Sequence, residues 1–203
     1  MFLGIDKLHD LVKNIGLVEN LSPRELENPE GTGFDLRVGA ISVFTGEELA
    51  LLTVDKRKTP STKVLASIAL GDKLIRIEPG QYVLATTMER VNLPDFFVGI
   101  IRPRSTLYRS GIVLSSGQVN PGYTGELTFG FYNASPYPFT LEMKARIAHI
   151  LFGYVEGASV YLTASKLTWS SNEMGKLEIA SQIFAPLVGG WAIASFLALT
   201  GKT

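Results

Sequence analysis

The chain has 203 residues, 46% of them hydrophobic, with nineteen basic side chains against nineteen acidic ones and a formal net charge of zero. That length supports one sizeable core, and the charge balance removes the basic excess with which a protein grips a nucleic-acid polymer, so no such partner is expected. Cysteine is absent, which excludes disulfides, thiolate metal sites and zinc chemistry of the His/Cys/Cys deaminase type, and leaves His9 and His149 as the two imidazoles.

The opening residues Met1-Phe2-Leu3-Gly4-Ile5-Asp6-Lys7 reach charge too soon for a secretory apolar region, so a cytoplasmic protein is expected. Ile5, Leu8, Leu11, Val12 and Ile15 recur at helical spacing between polar residues, which predicts an amphipathic helix ending at Gly16. Ser22-Pro23 and Asn28-Pro29 then mark residues 17–30 as a loop with at most one short turn. Gly33-Phe34-Asp35-Leu36-Arg37 begins a strand between glycine turns, where the backbone can approach a neighbour closely.

Residues 45–74 are mixed, and the basic run Lys56-Arg57-Lys58 reads as solvated surface. β-Branched residues around a Pro79-Gly80 turn predict two strands over 75–93, and the apolar run 96–101 predicts a strand buried on both faces. A hairpin is expected over 111–119. In the strand that follows, Leu127, Phe129 and Phe131 share one face while Thr128, Gly130 and Tyr132 share the other. Many short strands after one opening helix indicate a mainly β sandwich or barrel.

The chemistry-bearing stretch runs over residues 99–133. Arg102, Arg104 and Arg109 lie beside Ser105 and Thr106, and guanidinium groups with small hydroxyl neighbours suit a phosphate-bearing ligand. Beyond residue 155 the pattern changes. Residues 156–178 are polar and read as a linker, and residues 179–201 carry no charge, which predicts an apolar C-terminal helix or tail over 179–203 that packs in an oligomer or contacts a membrane.

Arg104-Ser105-Thr106-Leu107 with Arg109, then Val119-Asn120-Pro121-Gly122-Tyr123 and Gly125, then Phe131-Tyr132-Asn133, resemble the core of the dCTP deaminase and dUTP diphosphatase superfamily. Gly33-Phe34-Asp35-Leu36-Arg37 is similar to the first motif of those enzymes, and Arg146-Ile147-Ala148-His149 to their Arg-Ile-Ala-Gln motif. The resemblance implies a distorted jelly roll over residues 1–155, assembled as a homotrimer with sites between subunits. It also implies a deoxypyrimidine triphosphate ligand, dUTP or dCTP, and Mg²⁺ rather than zinc. Diphosphatase chemistry is expected slightly ahead of deamination, and an inactive nucleotide sensor or trimeric scaffold is the alternative.

By the same resemblance, Arg104, Ser105, Thr106, Arg109, Gln118, Val119 and Tyr123 bind the nucleotide, with Tyr123 on the deoxyribose. Ser105, Arg109 and Asn120 stand at the catalytic positions, and Asp35 helps organise the triphosphate and, indirectly, its metal. Two departures weaken catalysis. The diphosphatase base, an aspartate, is replaced by Asn120, and an amide cannot take a proton from water at neutral pH. The glutamate of a zinc-free deaminase is replaced by Gly130.

Overall fold

The computed structural model describes residues 2–46 and 50–155; the expected linker 156–178 and apolar segment 179–203 lie outside the described residues. In chain order the elements are α1 (Ile5–Ile15), β1 (Val18–Glu19), α2 (Pro23–Glu27), β2 (Phe34–Phe44), β3 (Leu51–Leu52), β4 (Arg57–Lys58), β5 (Thr62–Ser67) and a 3₁₀ turn (Ile68–Leu70). There follow β6 (Leu74–Ile77), β7 (Tyr82–Asn92), β8 (Phe97–Pro103), α3 (Ser105–Arg109), β9 (Ile112–Leu114), β10 (Gln118–Val119), β11 (Thr124–Asn133), β12 (Phe139–Glu142) and β13 (Arg146–Tyr154).

The expected opening helix forms. α1 buries Leu8 and Leu11 and ends where Gly16, at φ 64°, turns its N–H back onto the carbonyls of Leu11 and Val12, the left-handed cap that glycine adopts without steric cost. The following loop is more structured than expected, because Val18 and Glu19 pair with Val91 and Arg90 on β7 and Pro23 starts α2.

The mainly β expectation holds as a curled antiparallel sheet in the order β10-β8-β13-β2-β7-β11-β9, with β1 added to β7 and β5 to β2. β2 carries the sheet round its bend. Its first residues, Phe34 to Arg37, pair with β13, and its later ones, from Val38 onward, pair with β7 and β5. At the bend a Cβ on Gly39 would lie 3.1 Å from the Thr87 carbonyl oxygen, so the close approach there suits glycine.

Residues 111–119 correct the sequence reading. They do not pair as a hairpin: β9 adds to β11, and β10 adds to β8 at the other end of the strand order. Laid flat, those ends would stand about 29 Å apart, six spacings of about 4.8 Å. Residues 115–117 can span only about 14 Å. The sheet must therefore curl until its ends meet, and the link bonds to both, with Ser115 N–H donating to the Gly130 carbonyl and Ile101 N–H to that of Gly117.

Inside the curl lie Phe34, Leu36, Val83, Ala85, Phe131, Ile147, Ile150 and Phe152, all buried. β8 differs from its expected burial on both faces. Phe97, Gly99 and Ile101 are buried while Val98 and Ile100 are half-buried, a distinction that a continuous apolar run does not encode. β6 pairs with β12 rather than with β7 across the Pro79-Gly80 turn. Asn133 closes this corner: its side-chain amide donates to the carbonyls of Ile77 and Tyr137, and its Oδ1 accepts from Ser135.

Candidate functional site

The register of β2 against β13 sets His149 directly opposite Asp35, and directly paired residues of adjacent strands project from the same face. Asp35 is fully buried, so its carboxylate needs partners for each oxygen. His149 Nδ1 donates to Oδ1 at 2.9 Å, Arg146 Nη1 to Oδ2 at 2.7 Å, and Arg104 Nη1 lies 2.8 Å from both oxygens. The backbone adds one more tie, as Asp35 N–H donates to Glu25 Oε2 at 2.9 Å.

The 30s loop reaches its position beneath β13 because residue 33 is glycine. Its φ is 129°, and a Cβ there would lie 2.0 Å from the Ile150 carbonyl oxygen and 2.9 Å from His149 Nε2. Further charged side chains surround these partners of Asp35. Arg24 Nη1 donates to buried Glu25, and Arg24 Nη2 to Glu30 at 2.7 Å. Glu30 also accepts from Arg104 at 2.8 Å and from Arg146 at 3.4 Å. One half-exposed carboxylate thus holds three guanidinium groups.

Charge and burial compete at each member. Burial opposes ionisation of Asp35, but the His149 hydrogen bond and the Arg104 charge outweigh it and hold the carboxyl below its ordinary value. Burial likewise opposes protonation of His149, and the hydrogen bond and charge of Asp35 outweigh it, so the imidazole is pushed up. Hydrogen bonds from Arg104 and then Arg24 bring Glu30 down to about 2. His149 Nε2 faces the Thr32 carbonyl at 3.3 Å. With a carboxylate on one ring nitrogen and a carbonyl on the other, the imidazolium is the form that donates at both.

The cluster separates the residues singled out in the sequence. Arg104 belongs to it, as N-cap of α3, and Asp35 is its buried centre. Ser105, Thr106 and Arg109 lie on α3 itself, are exposed, and make no side-chain hydrogen bond or ion pair among the described residues. On β10 the Val119 side chain is buried against Gly99, while Gln118 is exposed and donates to Asn120 Oδ1 at 3.0 Å. Tyr123 is 37% exposed, and its hydroxyl donates to the Glu126 carbonyl at 2.6 Å, so the ring lies over the first residues of β11.

Gly130 is closed off. A Cβ there would lie 2.0 Å from the Tyr82 hydroxyl oxygen and 2.6 Å from Ser115 Oγ. The Tyr82 ring is held by stacking on Phe44, with centroids 6.0 Å apart and planes at 11°. Sequence reasoning noted that position 130 lacks a carboxylate but could not see that its space is taken. It also missed Arg24, Glu25 and Glu30, since a charged loop punctuated by two prolines carries no periodic signal and usually reads as solvent-facing. Arg146 and His149 were visible as a motif, though not as partners of Asp35.

Among the described residues no three His, Cys, Asp or Glu side chains converge as a metal cage. Asp35, the residue expected near the metal, has both carboxylate oxygens taken up by His149, Arg104 and Arg146.

A curled antiparallel sheet with an arginine and carboxylate cluster around the first residues of β2 defines the class of fold. The family model described as dCTP deaminase-like matches residues 2–155, and the chain belongs to that family. A dCTP deaminase of Pyrobaculum neutrophilum is 33% identical over 165 residues, covering 79% of this chain and 89% of the relative. A protein of Persephonella marina named "dCTP deaminase, dUMP-forming" is 29% identical over 157 residues, covering 77% and 85%. Among solved structures, the 2'-deoxycytidine 5'-triphosphate deaminase of Agrobacterium tumefaciens superposes with a TM-score of 0.58 at 17% identity, a likeness of fold. The match covers 76% of this chain and 48% of that one, so the chain spans just under half the length of that structure.

Proposed function

We propose that the protein binds a deoxypyrimidine triphosphate, with Ser105, Thr106 and Arg109 of α3 toward the phosphates and Gln118, Asn120 and Tyr123 toward the sugar and base, and that it does not deaminate the base. The observation that carries this reading is Gly130. In the deaminase-type members that this chain resembles, a glutamate at that place shuttles protons during water attack; here Tyr82 and Ser115 fill the volume from which such a side chain would project. Asn120 removes the other carboxylate. The reading is therefore a nucleotide-binding protein of an enzyme family, with both chemistries suppressed and Mg²⁺ entering with the triphosphate.

Assembly as a homotrimer is part of the same proposal. Support comes from the outward face of the sheet, where Val113 and Tyr82 are each paired with Tyr132 and Phe44 stacks on Tyr82. All four are exposed, and a contiguous apolar patch of this kind marks an association surface. Sedimentation velocity should give three times the chain mass.

The test is calorimetry with dCTP, dUTP, dTTP and the matching ribonucleotides, followed by product analysis in Mg²⁺. Deoxynucleotide binding without ammonia or diphosphate is the expected result. Asn120→Asp should then raise dUTP cleavage about a hundredfold by restoring a general base. Ammonia from dCTP, rapid diphosphate release by the unaltered protein, or no binding of any of the three would overturn the reading.

A further inference from the structure

Glu30 stands in an unusual position for a surface acid. Its two oxygens take Arg24 Nη2 at 2.7 Å, Arg104 Nη1 at 2.8 Å and Arg146 Nη1 at 3.4 Å, a set of planar donors converging on one anion. The three arginine side chains are only 24% to 36% exposed, while that of Glu30 is 40% exposed. Arg104 is the most buried of the four, and Glu30 is the most exposed by a small margin over Arg24 and Arg146. Arg24 comes from α2, Arg104 from the N-cap of α3 and Arg146 from β13, three elements far apart in sequence.

The donors and the acceptor are not held equally. Arg104 and Arg146 are also anchored on buried Asp35, and Arg24 on buried Glu25. Those bonds remain when Glu30 leaves. Glu30 itself sits on a short loop between Pro29 and Gly31, and Gly31, at φ 87°, has no neighbour that its Cβ would meet within 4 Å. A swing of this loop meets no side chain beside Gly31 and gives up one local backbone bond, from Thr32 N–H to the Glu30 carbonyl at 3.1 Å. With Glu30 gone, three guanidinium groups and the His149 imidazole face two remaining carboxylates, Asp35 and Glu25, and the site keeps a surplus of positive charge.

We propose that Arg24, Arg104 and Arg146 form an anion site for the phosphate chain of the nucleotide, and that Glu30 occupies this site in the free protein until the ligand displaces it. This rests on the phosphate-binding reading above and adds two arginines and an internal competitor to it. Guanidinium forks bind phosphate oxygens as they bind carboxylate oxygens, at similar lengths and with similar planarity. A triphosphate brings more charge and more acceptor oxygens than one carboxylate. Glu30 then sets a threshold: weak or singly charged anions fail to displace it, and a polyphosphate succeeds.

The test uses inorganic triphosphate, so that it does not depend on recognition of a base. By calorimetry at fixed ionic strength, Glu30→Gln should bind inorganic triphosphate about tenfold more tightly than the unaltered protein, the scale of one charge-assisted contact. Arg24→Gln in that background should remove most of the gain. Equal or weaker binding by Glu30→Gln overturns the proposal. Should that variant fail to fold, the unaltered protein carries the test: the ¹³C carboxyl resonance of Glu30 should shift in step with triphosphate saturation. A resonance that stays fixed while triphosphate binds, or no triphosphate binding at all, is equally fatal. Triphosphate binding with no response to deoxynucleotides would instead sink the nucleotide reading and leave this site standing.

Discussion

At Gly130 the smallest residue in the chain is enforced from outside, because the Tyr82 hydroxyl and Ser115 Oγ occupy the space of its Cβ. Restoring a carboxylate by Gly130→Glu alone must turn the Tyr82 ring away from Phe44, at about 1–2 kcal/mol of stability for overpacking and lost stacking. In a Tyr82→Ala background the same substitution should cost clearly less. Thermal melts of the four proteins in this double-mutant cycle measure the coupling; additive effects would mean that Tyr82 does not guard the position. The sequence showed the missing acid but not its guard, since Tyr82 and Gly130 meet only through the pairing of β7 with β11.

Among the elements, β2 does most to build both fold and site. Its first residues pair with β13 and bring Asp35 to His149, and its later residues carry the sheet round to β7. Entry into this strand depends on Gly33, which combines a left-handed φ with backbone contact to Ile150. Gly33→Ala should cost more than about 2 kcal/mol, from the unfavourable φ and the displaced loop together. Chemical denaturation reads this directly, and a loss below about 0.5 kcal/mol would show that the loop relaxes freely. The glycine-flanked strand was legible in the sequence because Gly, alternation and β-branched residues are local signals. The pairing of 111–119 with two distant strands was not, because a three-residue link looks the same whether its flanking strands pair with each other or with others.

For the whole molecule, the cluster couples stability to pH from two sides. Glu30 is held at about 2 against an ordinary 4.5, so its contribution is present above pH 4.5 and is lost as pH falls through 2. Asp35, also depressed, acts in the same direction below its ordinary 3.8. His149 is raised above 6.5, so its contribution is complete below pH 6.5 and is lost as pH rises through the folded value. The cluster is therefore at full strength between pH 4.5 and 6.5. Melting temperatures measured from pH 6 to 9 should fall for the unaltered protein and fall less for His149→Gln; parallel curves would remove His149 from the account.

The sequence by itself determined the mainly β class, the opening helix and its glycine stop, the order of the family motifs, and the absence of both expected carboxylates. Each is written in local spacing or residue identity. Only the tertiary structure decided that Asp35 is buried among Arg104, Arg146 and His149, that Glu30 draws three arginines together, and that Tyr82 closes Gly130. Those facts depend on strand register and on the curl that brings the two ends of the sheet within reach of a three-residue link. Neither has a signature in the order of residues along the chain, because both arise from contacts between segments that hydrophobic periodicity treats as independent.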